Sequence, residues 1–375
     1  MKRKFLKKFL ISILGLICLL VFSVGAYVSY MVIQFYRLPE QLDLSQEIYN
    51  NQSASLDPQK KYTITTYNIG FGAYNRDFSF FMDSGEMLDG TKLTGKNSKA
   101  KSLEIVKTNT AGAIRISKAF LPDFMFFQEV DIKATRSHHY NQYEALKEAF
   151  PSYAASFAYN FHSAFLFYPL NDPHGAVEAG IVTFSKYNIT SSTRYKLPID
   201  ETFPNKFFDL DRCFMISRLP ISGGGELVLI NVHLSAYDEG GLIRQAQMKL
   251  LKNILTTEYE VGNYVIVGGD FNHDIASSIN TFPTMQKVPE WVFVLDESEL
   301  PLGYSFCASK INPSCRSSDM AYIAGVNYTV TIDGFIISDN ITALSINNIV
   351  SLAEEDVSFL YSDHNCVVLE FSLKP

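Results

Sequence analysis

Apolar and polar positions along this chain fall into blocks of two kinds. The first block is a single uncharged stretch of 28 residues, 9–36, behind the basic tip MKRKFLKK. At ~1.5 Å per helical residue it exceeds the roughly 20 residues that cross a bilayer. A cleaved secretory signal is the competing reading, with Val24-Gly25-Ala26 as its cleavage site. The apolar run continues past that point through YVSYMVIQFY, so an uncleaved transmembrane anchor over residues 1–38 is expected. Residues 39–60 are polar without sustained periodicity and read as a linker or stalk. From residue 61 the blocks become short. YTITTYNI, FMFFQEV, EAGIVTFSKYNI, FMISRLPI, GELVLINVHL, NYVIVGGDF, VTIDGFIIS and HNCVVLEFSL are strand-like, rich in β-branched and aromatic residues. Residues 102–120 and 241–257 carry helical periodicity, and ISGGGE marks a hairpin turn. No repeat of 20–50 residues is present. Many strands with few long helices predict one large α/β domain over residues 61–375: two packed mixed sheets with helices outside, not a doubly wound parallel sheet.

Charge sharpens this picture. Lys2, Arg3, Lys4, Lys7 and Lys8 hold the N-terminus in the cytoplasm, which places everything after residue 38 outside a cell membrane crossed once. Setting aside those five residues and Arg37 leaves 26 basic against 39 acidic residues, a balance of −13 for the remainder. This balance weighs mildly against tight non-specific binding of a polyanion such as DNA and does not exclude it, because an acidic metal site and a local basic groove can coexist. Cys18 lies in the apolar segment. Cys213, Cys307, Cys315 and Cys366 lie beyond it, and Cys307 and Cys315 flank ASKINPS, where a disulfide and two buried free thiols are both open. None has zinc-ligand spacing.

The strand-like blocks end on chemically similar residues. In VIVGGDFNHD the apolar run stops at two glycines, which permit a turn or a close approach, and then presents Asp270 and Asn272. A phosphate or a metal suits such a point; an Asx turn closing a loop is the plainer alternative. Elsewhere YTITTYNIG ends on Asn68, FMFFQEVD carries Glu129, LVLINVHLS carries His233, VTIDGFII carries Asp333, and YSDHNCVVLEF opens with Asp363-His364. Singly, each of these is weak.

Together, the order N, QE, NVHL, GDFN, IDG, SDH resembles the endonuclease/exonuclease/phosphatase superfamily. That superfamily includes pancreatic-type deoxyribonuclease, apurinic endonucleases, inositol polyphosphate phosphatases and bacterial sphingomyelinases. The resemblance covers about residues 61–375, and GDFN followed by SDH is its most specific part. It implies a four-layer sandwich of two mixed β-sheets flanked by helices, and divalent-metal-dependent hydrolysis of a phosphate ester, with Mg²⁺ expected and Mn²⁺ possible. The residue types suit that chemistry, which needs a positioned water and compensation of charge on the phosphoryl oxygens. By resemblance Glu129 is a metal ligand, with Asn68 beside it contacting metal or phosphate, and Asp363 is the second ligand or holds a water. Asp270 orients or deprotonates the attacking water, and Asn272 holds it or a phosphoryl oxygen. His364 faces the scissile phosphate with its ring fixed by Asp333, and His233 donates to a non-bridging oxygen. Arg212 matches a place where relatives often carry a basic residue, and a strand-end salt bridge explains it as well. Glu178, His273, Asp274, His138, His139 and His162 are expected in structural roles.

Residues 70–102 form a long polar insertion after Asn68 and are expected to overhang the site. Phe78, Phe80, Phe81 and Met82 within it make either an apolar lip or a self-packed loop. Three functional readings follow: a membrane-anchored extracytoplasmic phosphodiesterase or phosphatase acting on a small or lipid-borne substrate, an extracellular nuclease, and a non-catalytic binding protein. The last is disfavoured by the complete residue set, and no protein partner is indicated.

Overall fold

The computed structural model describes residues 2–47, 54–207, 210–236 and 242–374. Helix α1 (Lys2–Gln34) precedes two seven-stranded mixed sheets. The first sheet runs, edge to edge, Gln41–Asp43, Ser191–Lys196, Cys213–Pro220, Glu226–His233, Tyr264–Asp270, Asp333–Ser338, Tyr304–Cys307. The second runs Ile341–Asn348, Val367–Leu373, Lys61–Asn68, Phe124–Asp131, Gly175–Ser185, Ala154–Leu166, Gln46–Glu47.

The two-residue periodicity of the strands separates the layers. Ile64, Phe124, Phe126, Leu227, Leu229, Ile266 and Phe335 face inward and are buried between the sheets. Their neighbours in phase opposition, Met125 and Phe127, meet helices α2 (Leu103–Ala119) and α3 (Gln142–Ala149) through Ala113, Ile116 and Leu146. Val228, Ile230, Val265 and Val267 meet α4 (Leu242–Val261) through Met248, Leu251 and Leu255. The expected four-layer order, helix–sheet–sheet–helix, is the one observed.

Two expectations need correction, and one open alternative is decided. The segment read as a linker is in part sheet: Gln41–Asp43 pairs antiparallel with Ser191–Lys196, and Gln46–Glu47 pairs with Ala154–Leu166. Edge strands this short are held by backbone bonds and carry no hydrophobic signature. Helix α4 runs to Val261 rather than to residue 257, because Gly262 (φ +82°), whose N–H reaches the Tyr259 carbonyl, supplies the left-handed terminus; residue 241, its expected start, lies outside the described residues. Cys307 and Cys315 are free thiols, and the Cys315 sulfur lies 3.7 Å from His364 Nε2 instead.

The glycine pair before Asp270 has a steric cause. A Cβ on Gly268 would lie 2.5 Å from the Phe335 ring and 3.0 Å from Phe126, and Gly269 has φ +149° with its Cβ position 2.0 Å from the Val232 carbonyl oxygen. Gly268→Val is therefore expected to overpack the inter-sheet core and lower stability by about 1–3 kcal/mol, read as a shifted chemical-denaturation midpoint of the full chain in detergent.

Candidate active site

Two parallel pairs bring strand ends to one end of the sandwich: Lys61–Asn68 with Phe124–Asp131 in one sheet, Glu226–His233 with Tyr264–Asp270 in the other. The register sets Asn68 opposite Gln128, His233 opposite Asp270, and Asp270 opposite Asp333 on the antiparallel neighbour. Asp363 and His364 sit just before the strand Val367–Leu373, whose start pairs with Thr66 beside Asn68. All eight residues picked from the sequence thus share one end, on two sheets.

Beneath them lies a polar seam that the sequence reading passed over. Gln128, in phase with Phe124 and Phe126, points between the sheets and donates to Asn231 Oδ1 at 2.8 Å, while Asn231 donates to the Val182 carbonyl at 2.8 Å. Both amides are fully buried, so these bonds lock the relative position of the sheets under the site.

Asp270 is the hub. Its Oδ2 accepts from Asn68 Nδ2 at 2.9 Å and lies 3.6 Å from His233 Nε2 and 3.7 Å from His364 Nε2; its Oδ1 accepts from the Asn272 backbone N–H at 2.8 Å. Asn272 holds this position in the left-handed region (φ +53°), which asparagine tolerates, and donates Nδ2 to the Leu234 carbonyl at 2.7 Å. Burial pushes the Asp270 carboxyl up to about 6; the His364 charge opposes the shift and Asp333 adds to it. A carboxylate so tuned can take a proton near neutral pH.

The two histidines are set to opposite states. His364 Nδ1 lies 2.8 Å from Asp333 Oδ2, which also accepts from Ser314 Oγ at 2.7 Å. Burial alone would pull the His364 pKa down, but the negative charges of Asp333 and Asp270 outweigh it and raise it well above the ordinary value, which favours the imidazolium; Nε2 faces the Cys315 sulfur and Asp270 Oδ2, each at 3.7 Å. His233 is pushed well below its ordinary value by burial, then by the positive charges of Arg212, His364 and Arg136. Its Nδ1 lies 3.4 Å from Asn160 Nδ2, an arrangement that leaves Nε2 as the neutral ring's donor.

Glu129 sits in a bulge. The pairing of Phe124–Asp131 with Gly175–Ser185 shifts between Phe127 and Val130, and Glu129 has φ +54°. A left-handed glutamate is strained, and strain of this kind concentrates at functional positions. Its Oε1 accepts from Asn68 Nδ2 at 3.2 Å. Burial raises its pKa, Arg136 opposes this, and the nearby Asp363 carboxylate raises it further. Two half-buried carboxylates that repel one another form a donor set for a hard cation. A second group, Asp270, Asp333 and His364, has ligand atoms within 4.8 Å of one another, and Asp333 Oδ1 is buried without a partner. Both sets offer ligands to a hard cation: Glu129 with Asp363 on one side, and Asp270 and Asp333 with His364 on the other.

Arg136, paired with Asp131 at 2.8 Å, lies behind Glu129. Arg316, buried, donates through its backbone to the Asp363 carbonyl at 3.0 Å, and Ser318 Oγ reaches Asp363 Oδ2 at 3.1 Å. These contacts depend on chain crossings with no local sequence signal. Arg212 is buried and acts on His233 by its charge. Glu178 lies within 4.0 Å of Lys133, and His162 stacks on Tyr36. His138 bonds the Ala100 carbonyl, and His139 is a left-handed turn residue. His273 bonds the Phe271 carbonyl, and Asp274 caps the turn through Ala276 and Ser278. In the insertion, Phe71, Tyr74, Phe78 and Phe80 pack together with Ala100 and Val106, so the loop is self-packed and only Met82 of the four named apolar residues is exposed.

The family model described as Endonuclease/Exonuclease/phosphatase family matches residues 65–291. No curated protein matches. Among solved structures, the endonuclease/exonuclease/phosphatase from Beutenbergia cavernae superposes with a TM-score of 0.55 at 16% identity, covering 84% of this chain and 72% of that one. The one from Bacteroides vulgatus superposes with a TM-score of 0.51 at 16% identity, covering 84% and 100%. The human Nocturnin catalytic domain, with a bound sulfate anion, gives 0.51 at 15% identity, covering 88% and 97%. At these identities the likeness is one of fold.

Proposed function

The chain belongs to the endonuclease/exonuclease/phosphatase family, whose members hydrolyse phosphate esters, and on that premise we propose that it is a divalent-metal-dependent phosphoesterase. Its substrate is a phosphodiester or phosphomonoester, small or lipid-borne, met outside the membrane to which α1 anchors it. The observation that carries this reading is the Asp270 hub: one buried carboxylate bonded to the Asn68 amide and lying 3.6 and 3.7 Å from the Nε2 atoms of His233 and His364.

In this mechanism Asp270, its second oxygen pinned by the Asn272 N–H, takes the proton of the attacking water. The His233 Nε2–H donates to a non-bridging phosphoryl oxygen as charge gathers there. His364, kept charged and oriented by Asp333, stabilises the same charge and supplies a proton to the leaving oxygen. Asn68 ties Asp270 to Glu129, so the proton acceptor and the metal-binding side are set by one amide. Glu129 and Asp363 would hold Mg²⁺ or Mn²⁺, which when bound supplies neutralisation and polarisation of the phosphoryl oxygens.

A nuclease working at the same site is the second reading, favoured by the buried guanidinium groups of Arg136, Arg212 and Arg316 around it. The test is hydrolysis by the full chain in detergent of phospholipid, plasmid DNA and a soluble chromogenic phosphodiester, each with Mg²⁺ and with EDTA. Chelation is expected to slow the preferred reaction about a hundredfold. Activity that survives EDTA removes the metal from the reading, and DNA cleavage dominating over both other substrates replaces it with the nuclease.

A further inference from the structure

Helix α1 does not simply tether the catalytic domain; its C-terminal turns are docked on it. Tyr27 Oη donates to the Phe165 carbonyl and Phe165 N–H donates to Tyr30 Oη, both at 3.1 Å. The Tyr27 ring meets Phe167 edge-on at 5.2 Å, and Met31 is buried with Leu166 and Phe207, against which Phe35 also packs. Arg37 closes the contact with an ion pair to Asp211 at 2.5 Å.

This docking fixes a depth. From Lys8, the last charge of the N-terminal tip, to Tyr27 is 19 residues, or ~28 Å of helix, close to the ~30 Å of a bilayer's hydrocarbon core. Tyr27 and Tyr30 therefore lie where the chain leaves the hydrocarbon, the level at which tyrosine is favoured. Phe165 and Phe167, touching Tyr27, lie at the same level, and the chain runs on from them to Leu170. Yet Phe167, Tyr168 and Leu170 are 49%, 71% and 85% exposed, and Phe203, whose ring meets Phe207 at 5.8 Å, is 68% exposed. Four large apolar side chains around the exit point of a membrane helix are continuous with its apolar surface.

The same segment is at the catalytic end of the sandwich. Ala179 pairs with both Asp131 and Phe161, and Gly175 with Leu166, so the 166–175 connection projects from the end that carries Glu129 and Asn68. A ring series joins the two: Tyr168 to Phe81 at 5.7 Å, Phe81 to His174 at 6.2 Å, His174 to Phe71 at 6.5 Å, and Phe71 is three residues from Asn68.

We propose that Phe167, Tyr168, Leu170 and Phe203 seat in the headgroup region of the bilayer that α1 crosses, which turns the catalytic end toward that bilayer and makes a lipid-borne phosphate ester its substrate class. This rests on the anchored phosphoesterase reading above. The test uses the full chain in vesicles of phosphatidylcholine and phosphatidylglycerol with or without brominated acyl chains, with Trp291, the sole tryptophan, removed as Trp291→Phe. In that background Leu170→Trp is expected to lose about half its emission to brominated lipid, as for a side chain ~5–10 Å into the interface. Leu302→Trp, equally exposed (85%) but next to the strand Tyr304–Cys307 at the opposite end, is expected to lose none. Leu16→Trp, within α1, reports the anchor. An unquenched Leu16→Trp overturns the anchor and the proposal with it; quenching of Leu16→Trp with Leu170→Trp behaving as Leu302→Trp overturns the proposal alone. The double variant Phe167→Ser with Leu170→Ser is expected to hydrolyse phospholipid vesicles about tenfold more slowly and the soluble chromogenic diester at the unchanged rate. Equal effects on both substrates, or a soluble diester cleaved while phospholipid is spared in the unmodified protein, overturn the substrate class.

Discussion

Asp270→Ala is expected to lower the rate of phosphoester hydrolysis by about 10⁴ while leaving the fold intact. The size follows from the position: the substitution removes the proposed proton acceptor and also the group on which Asn68, His233 and His364 converge, and loss of a general base costs up to ~10⁴. It opens space among buried polar groups rather than in the apolar core, so cooperative unfolding by circular dichroism should persist. Asp270→Asn sharpens the point. The folded carboxyl titrates near 6 against an ordinary 3.8, so the native state disfavours the charged form; that cost is fully present above pH 6 and absent below pH 3.8. In metal-free protein Asp270→Asn is therefore expected to raise stability at pH 8 by about 1–3 kcal/mol and to give no gain at pH 4, measured by denaturant melts at the two pH values. A variant that loses activity together with stability at pH 8 would place Asp270 among the fold's supports.

His364→Ala is the second large effect, a loss of about 10³ in kcat with a smaller change in KM, because the imidazolium acts on charge that develops after binding. Asp333→Asn should reproduce part of it. Asp333 is the largest of the charges that keep His364 protonated, so its amide variant is expected to shift the alkaline limb of the pH–rate profile to lower pH, where His364→Ala abolishes that limb. An Asp333→Asn profile that superposes on that of the unmodified protein would show that the 2.8 Å contact orients nothing the reaction uses.

Much of this architecture was legible because the strands carry β-branched runs: VIV of Tyr264–Asp270 and LVLINV of Glu226–His233 can hardly be anything else, and alternate residues report the helix-facing and sheet-facing layers. What was illegible has physical causes. Ala154–Leu166, AASFAYNFHSAFL, mixes small and aromatic residues without strict alternation, because its register shifts between Tyr159 and Phe161, at Asn160, and again between Ser163 and Leu166. Helix α3 is eight residues long and announced only by its cap, Asn141, which accepts from Glu144 N–H. At the site, each residue chosen from the sequence lies at a strand end, where a polar residue interrupts an apolar run. Asn160, Ser314 and Arg316 were missed because they reach the site from a strand interior or across a chain crossing, where no spacing rule applies. Gln128 was within reach: its phase with Phe124 and Phe126 places an amide between the sheets, and a buried amide demands a partner. The docking of α1 was invisible for a different reason. Tyr27, Tyr30 and Met31 read as the tail of a membrane span, and only the packing shows that they also belong to the domain.

The measurement closest to the central claim is turnover of a soluble chromogenic phosphodiester with Mg²⁺ by the full chain and by Asp270→Asn, side by side in one detergent. The account predicts multiple turnovers by the unmodified protein and a rate at least about 10³ lower for a variant that is equally or more stable. Comparable rates for the two, or a folded and Mg²⁺-supplied protein that turns over no phosphate ester at all, would contradict it.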